Sequence, residues 1–585
     1  MLKRLRRLMN EHGIDVFAVF MEDPHLSEYT GACDKYIAAL SGFTGSAGTL
    51  VVEKDEARLW TDSRYYVQAD AQLSGSNIKL MKSGMPGVIR PEDYIGDCLA
   101  KGLTVSFDKK TLSYAKYRNI AKLVRNCDIK DGSGILHECA DLPGRHHENI
   151  VYMPDDAAGL GASDKIAKVR SLIRKKYVPS GDYMYVLSDM ASIMWLFNLR
   201  GSDISYVPVA YSYAIIRDSS AILYVEKGAI DDRSLISSGV FVRDYALFYD
   251  DIGKLPDEFA IADIEHNNCE IISSCENHEF IECSDTELIR KAVKNSAEIE
   301  GMRRCHIEDA AVMIRFIMRV KEMAENNNLP DEYELGAMLD DMRLAKCPSL
   351  SFSTICAYGK NAAIVHYTAD KDTAKPLEPH GFVLVDSGGQ YMFEGTTDIT
   401  RTVSLGPVSK EEKEVYTAVL KGNLRLMDMV FPEGFKGALL DAAAETPLWE
   451  KGYYCGHGIG HGVGHYLSVH ESEARISRNS AEHECAFHPG VIVSDEPGVY
   501  IEGAFGVRLE NLLLTVDAGS ADGHGMCSFE PLTLVPFDKE AIDASLLTPK
   551  EQSILNDYNM LIWEKISPVL DEKERIWLKD YIDIA

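Results

Sequence analysis

At 585 residues the chain is longer than one hydrophobic core supports and is expected to divide into two to four domains. Its hydrophobic content of 46% and charged content of 26% are those of an ordinary soluble globular protein. A net charge of −29, spread without a long acidic block, argues against nucleic acid as a partner, because a phosphate backbone is met by basic patches.

The first thirteen residues are basic, and no apolar run of signal-peptide length follows them. Leu2, Leu5, Leu8 and Met9 recur at helical spacing, which predicts an amphipathic first helix. No run of apolar residues is long enough for a membrane span. The 13 cysteines are odd in number, contain no Cys-x-x-Cys pair and accompany no Asn-x-Ser/Thr acceptor. Reduced thiols in a cytoplasmic protein are the simplest reading. Cys269, Cys275 and Cys283 are spaced too irregularly to predict a structural zinc.

From residue 1 to 150, helical and strand patterns alternate. Ile14 to Phe20 reads as a buried strand, and 48–52 with 57–60 as a hairpin pair. Asp141 to His147 reads as a linker. A similar rhythm returns over 151–285, with a helix over 165–176 and strands over 183–187 and 221–225. An internal repeat of two α/β domains is expected. A third domain, 286–585, begins with a long amphipathic helix over 298–323, with Met302, Ile307, Ala310, Met313, Ile314 and Ile317 on or near one face.

Five acidic or imidazole side chains follow one another in this third domain. Asp386 ends the apolar run Gly381 to Asp386, and Asp398 lies in Gly395 to Thr402 among threonines. His461 lies in a Gly-rich stretch from Gly456 to Gly464, Glu496 precedes Pro497 and Gly498, and Glu510 follows Arg508 and Leu509. Period-two alternation predicts Thr396, Asp398 and Thr400 on one strand face, and Arg508 with Glu510 on another. Any one such Asp is commonly a turn former or helix cap; five in order are better read as ligands. Four carboxylates and one imidazole make an oxygen-rich set that balances two divalent cations. Manganese fits best, with cobalt, iron or zinc able to substitute. Two such ions roughly 3.5 Å apart share a water and bring its pKa toward about 7, a hydroxide nucleophile without Ser or Cys, so a hydrolase is expected.

These stretches resemble the pita-bread metallopeptidases, and most of all their long three-domain Xaa-Pro aminopeptidases. The likeness also rests on Leu40 to Gly48 and Trp60 to Tyr66 in the first domain, on Val469 to Glu471, and on Phe529 to Phe537. It implies two creatinase-like α/β domains, 1–150 and 151–285, before a pita-bread catalytic domain, 286–585. It further implies that Asp386 binds one metal, that His461 and Glu496 bind the other, and that Asp398 and Glu510 bridge them. Glu496 would also shuttle a proton to the leaving nitrogen. His366, His470 and His457 would line the pocket, and Arg508 would steady the bridging region. The implied reaction removes the first residue of peptides with proline second, in a cytoplasmic homodimer. Two departures stand out: the segment between Asp386 and Asp398 is one residue longer than usual, around Met392 to Glu394, and His465 occupies a position where packing is the favoured role.

Overall fold

The apolar spacing at the start of the chain forms helix Leu2–Glu11, which buries Leu5, Leu8 and Met9. The computed structural model describes residues 1–122, 129–230, 236, 239–479 and 484–583. The chain separates into two units, Met1–Asp155 with Leu160–Ile289, and Asp156–Gly159 with Arg290–Ala585.

The first unit holds two six-stranded sheets. Strands β1 (Val16–Phe20), β2 (Thr49–Glu53), β3 (Ala57–Thr61), β4 (Ile78–Lys82), β5 (Val105–Phe107) and β6 (Ile129–Asp131) lie in the order β4-β3-β2-β1-β5-β6. Strands β7 (Tyr183–Leu187), β8 (Ser212–Arg217), β9 (Ala221–Val225), β10 (Val240–Asp244), β11 (Phe259–Ala262) and β12 (Glu279–Glu282) lie in the order β10-β9-β8-β7-β11-β12. Strand for strand, order and direction agree. In each sheet the first three strands are joined antiparallel and every other pairing is parallel. The rhythm that suggested a repeat is thus a repeated topology. β7, antiparallel to β8 and parallel to β11, is buried along its whole length, as a central strand covered on both faces should be.

The second unit opens with helix Ser296–Glu325, started by a reciprocal capping box between Asn295 and Glu298. Its expected apolar face is buried at Met302, Ala310, Met313, Ile314 and Ile317, and Ile307 is partly buried. Met313, Ile314 and Ile317 share one core with Val383, Val385 and Val403. Each such side chain contributes about 1.5–3 kcal/mol on burial. Strands β13 (Ile355–Tyr358), β14 (Phe382–Ser387) and β15 (Ile399–Ser404) make an antiparallel sheet in that order. A larger sheet collects β16 (Val430–Pro432), β17 (Gly460–Gly462), β18 (Glu471–Ile476), β19 (Ile492–Asp495), β22 (Asn511–Ala521) and β23 (His524–Pro531), in the order β16-β23-β22-β19-β17-β18. Between β19 and β22 runs the hairpin β20 (Gly498–Ile501) and β21 (Phe505–Arg508).

Two strand expectations need correction. Thr396, Asp398 and Thr400 do not share one strand. Gly395–Thr396 pairs with Gly389–Tyr391, and β15 starts only at Ile399. Thr397 is tied to Gly389 twice, its N–H donating to the Gly389 carbonyl and its Oγ1 accepting from the Gly389 N–H, both at 2.9 Å. Asp398 therefore falls where the chain changes sheets. Residues 506–516 also do not form a single strand. The Leu509 N–H turns to Pro497 O at 3.4 Å and the Glu510 N–H to Thr400 O at 3.1 Å, separating β21 from β22. Residues 392–394 form a tight turn, in which Phe393 takes a φ of 59°.

Candidate functional site

Each of the five candidate ligands sits within a strand or at its end. Asp386 lies in β14 opposite Thr400 of β15, and Asp398 immediately precedes β15. His461 is the middle residue of β17, and Glu496 directly follows β19. Glu510 occupies the break between β21 and β22. The glycine before His461 is required: a Cβ on Gly460 would stand 1.9 Å from Ser494 O. That close approach lets the His461 N–H donate to Ser494 Oγ at 2.9 Å.

The structure brings these side chains together. Asp398, His461 and Glu510 offer ligand atoms that all lie within 4.8 Å of one another. His461 Nε2 is 3.5 Å from Asp398 Oδ2 and 3.5 Å from Glu496 Oε1. Its Nδ1 donates to Gly462 O at 2.9 Å, which leaves the Nε2 lone pair facing two carboxylates. Asp386 Oδ2 is held by Arg508 Nη2 at 2.6 Å, while its Oδ1 is buried with no hydrogen-bond partner among the described residues.

Electrostatics make the same demand. Burial, then the charges of Asp386 and Glu496, raise the Asp398 carboxyl well above the usual carboxylate range. Burial, then Asp398, Glu496 and Asp386, do the same to Glu510. Four carboxylates, three buried and Glu496 half-buried, crowd together, and among the described residues Arg508 is the one guanidinium ion-paired with them, so their mutual repulsion calls for added positive charge. The orphaned Asp386 oxygen and the inward His461 lone pair are the donors that divalent cations take. The residues present therefore fit a two-metal group.

A brace surrounds the cluster: Arg508 and His457 were expected from the sequence, whereas Thr400, Tyr500, Ser494 and Arg401 were not. Thr400 Oγ1 donates to Glu510 Oε2 at 2.9 Å and accepts from Arg508 Nε at 3.0 Å. Arg508 Nη1 donates to the Tyr500 hydroxyl at 2.8 Å, and that hydroxyl lies 2.7 Å from His457 Nε2. His457 Nδ1 donates to Gly458 O at 2.8 Å, and its Nε2 is hydrogen-bonded to the Tyr500 hydroxyl. Ser494 Oγ lies 3.4 Å from Glu496 Oε1. Arg401, fully buried, donates to the carbonyl of Glu510 at 2.6 Å and fixes the strand break. Thr400 and Arg401 lie in the strand their sequence predicts, but nothing in one sequence pairs Tyr500 with His457.

Of the other candidates, His457 stands 3.9 Å from Glu496 Oε2, and the His470 ring packs edge-on against His461 with centroids 4.3 Å apart. His366 lies half-buried in a turn one residue after Val365, whose carbonyl is 3.5 Å from Arg508 Nη1. His465 is buried beneath helix Ser296–Glu325, where a Cβ on Gly301 would come within 3.0 Å of its Nε2.

Comparison with known proteins agrees with this architecture. Residues 1–139 and 141–298 each match a creatinase/prolidase N-terminal domain. Residues 300–517 match metallopeptidase family M24, and 525–583 match the C-terminal region of peptidase M24. A probable Xaa-Pro aminopeptidase P of Pyricularia oryzae is 35% identical over 609 residues, spanning 99% of this chain and 98% of that protein. One of Ajellomyces capsulatus is 36% identical over 613 residues, spanning 99% and 98%. Among solved structures, the X-prolyl aminopeptidase of Caenorhabditis elegans, described as a cytosolic enzyme with a di-nuclear active site, superposes with a TM-score of 0.94. It is 30% identical and covers 100% of this chain and 98% of its own. A prolidase of Pyrococcus horikoshii, 25% identical with a TM-score of 0.50, covers 64% of this chain and 99% of its own. With two creatinase-like N-terminal domains, a pita-bread catalytic domain and relatives alike from end to end, the chain belongs to metallopeptidase family M24, in its Xaa-Pro aminopeptidase P branch.

Proposed function

We propose that this protein removes the N-terminal residue from peptides whose second residue is proline, using Asp386, Asp398, His461, Glu496 and Glu510 as ligands to two divalent metals. The observation that carries this reading is four crowded carboxylates, three of them buried and Glu496 half-buried, beside an inward imidazole nitrogen and the Arg508 guanidinium. Asp386 would hold one metal and His461 with Glu496 the other, while Asp398 and Glu510 would be available to both. When bound, the metals, manganese foremost, supply the charge that makes a shared water nucleophilic as hydroxide near neutral pH.

The chain's own groups do the rest. The bond before proline is a tertiary amide without N–H, so no acceptor can grip the scissile nitrogen. That nitrogen leaves as an amine and needs a proton. Glu496, steered by Ser494, is placed to collect a proton from the attacking water and deliver it there. His470, His457 and His366 line the pocket and hydrogen-bond the substrate. Arg508 holds Asp386 and, through Thr400, Glu510, so that both face inward before substrate arrives. Residues 1–150 and 151–285 act as two creatinase-like domains ahead of a catalytic domain over 286–585. The working form is a cytoplasmic homodimer.

The test is hydrolysis of Arg-Pro-Pro beside Arg-Ala-Ala, with manganese and after EDTA, for the wild type and Glu496→Gln. Free arginine from the proline peptide alone, abolished by EDTA and by the substitution, is the expected result. A tripeptide also separates this activity from a prolidase confined to dipeptides. Cleavage of neither peptide by protein carrying two metals would overturn the reading. Sedimentation of the purified chain tests the dimer.

A further inference from the structure

The second sheet of the first unit ends in a cluster that peptide hydrolysis does not use. β7, β11 and β12 are parallel neighbours, so their carboxyl ends lie along one edge. Such edges are where open α/β sheets bind ligands. The chain leaving β11 carries Asp263 and His266, and the chain leaving β12 carries Cys283 and Asp285. Asp263, His266 and Asp285 each offer a ligand atom, all within 4.8 Å of one another. His266 Nδ1 already lies 3.1 Å from Asp263 Oδ2.

Partners on the protein side account for only part of this cluster. The Tyr185 hydroxyl donates to Asp285 Oδ1 at 2.6 Å. The Asp285 N–H donates to Asp263 Oδ2 and the Glu265 N–H to Asp263 Oδ1, both at 2.9 Å. Asp285 Oδ2 has no hydrogen-bond partner among the described residues, although the residue is only 4% exposed. Burial, then the charge of Asp263, pushes the Asp285 carboxyl up to about 7. No lysine or arginine among the described residues forms an ion pair with either carboxylate; the pairing of Asp263 is to His266. The Cys283 thiol lies 3.9 Å from Asp285 Oδ1.

We propose that Asp263, His266 and Asp285 form a third metal site, which holds one divalent transition metal, zinc foremost, in the first unit. Two carboxylates and an imidazole are a zinc donor set. Ligand atoms around a tetrahedral zinc stand about 3.4 Å apart, so no pair of this set, all within 4.8 Å, needs to close by more than about 1.4 Å. The ion satisfies Asp285 Oδ2 and balances the two carboxylates, and its place at the strand ends ties β11 to β12. It shares no residue with the catalytic set.

The experiment is a metal count by mass spectrometry on the full chain, saturated with zinc and freed of excess by gel filtration. The expected result is about three ions per wild-type chain, about two for His266→Ala with Asp285→Asn, and about one for Asp398→Asn with Glu510→Gln. The first double variant should still cleave Arg-Pro-Pro. In the second, added zinc should raise the melting temperature, and the rise should vanish when all four substitutions are combined. A wild-type count in the His266/Asp285 variant, or no zinc in the Asp398/Glu510 variant, would overturn the proposal. Should the double substitution fail to fold, His266→Gln, at a side chain 28% exposed, must weaken zinc binding in the Asp398/Glu510 background by at least about tenfold. Unchanged binding there counts against the site equally.

Discussion

The second unit buries carboxylates in two ways. Asp309 lies against Arg343, which donates Nε at 2.7 Å and Nη2 at 3.1 Å, and it accepts from the Tyr391 hydroxyl at 2.8 Å. Glu471 is likewise paired with Lys294, with Lys291 3.7 Å away. Asp386, Asp398 and Glu510 are also removed from water, with Glu496 half-buried beside them, yet among the described residues the one guanidinium ion-paired with this group is that of Arg508. In the first arrangement the chain supplies its own counter-charge. In the second it withholds that charge and leaves oxygens and a lone pair pointing inward. In the first group the neutralised carboxylates serve the fold; in the second, the carboxylates left short are the ones we propose as ligands for cations from outside.

The difference should be sharpest in activity. Glu510→Gln removes a donor from the unneutralised group, and the loss of kcat/KM should exceed the about 100-fold typical of an outer partner, reaching on the order of 1000-fold or more. Metal content should fall with it. Activity within tenfold of wild type at full metal occupancy would break the comparison. In the neutralised group the next largest effect is on stability. Arg343→Met strands Asp309 in the core and should cost about 3–5 kcal/mol in urea unfolding. The kcat/KM of the molecules that remain folded should be unchanged. A loss of activity without loss of stability would show that Asp309 and Arg343 belong with the site.

Much of this contrast could be read from the chain, and the reason is local. His461 announces itself because glycines flank it, and the structure shows what they are for: Gly460 stands where a side chain would strike Ser494. Helix Ser296–Glu325 was legible from its apolar spacing and strand Tyr183–Leu187 from its apolar run, both within a few residues of sequence. The two strand breaks were not. Thr397 is diverted by Gly389 and Glu510 by Thr400, partners 8 and 110 residues away, and alternation carries no trace of either. The same holds for Tyr500 between Arg508 and His457, and for Asp263 and Asp285, which meet only because β11 and β12 are neighbours. Periodicity reports what a residue does to its own element; it is silent on which element arrives opposite.

Arg508 tests whether one guanidinium is merely charge or also geometry. It reaches Asp386, Thr400 and Tyr500 through three different nitrogens. Arg508→Lys keeps the charge and cannot span all three. Activity should fall about 10–100-fold, with weaker metal binding and an intact fold. Full activity would mean that charge alone suffices and that the Thr400 and Tyr500 contacts are incidental.

The smallest effect carries the cleanest sign. In metal-free protein the Glu510 carboxyl titrates above its ordinary 4.5, because of burial first and then Asp398, Glu496 and Asp386. A group raised on folding contributes stability that is fully present below its unfolded pKa and is lost as pH rises through its folded one. Wild-type protein in EDTA should therefore lose stability relative to Glu510→Gln as pH climbs from 4.5, and the variant should melt higher at pH 7 than the wild type. Manganese should reverse the order, since it binds the folded wild type and has lost a ligand in the variant. Melting both proteins at several pH values, with and without manganese, reads both signs at once. A gap that neither widens with pH nor inverts with metal would mean that Glu510 is neutralised within the protein after all, as Asp309 is, and the division between the two kinds of carboxylate would fall.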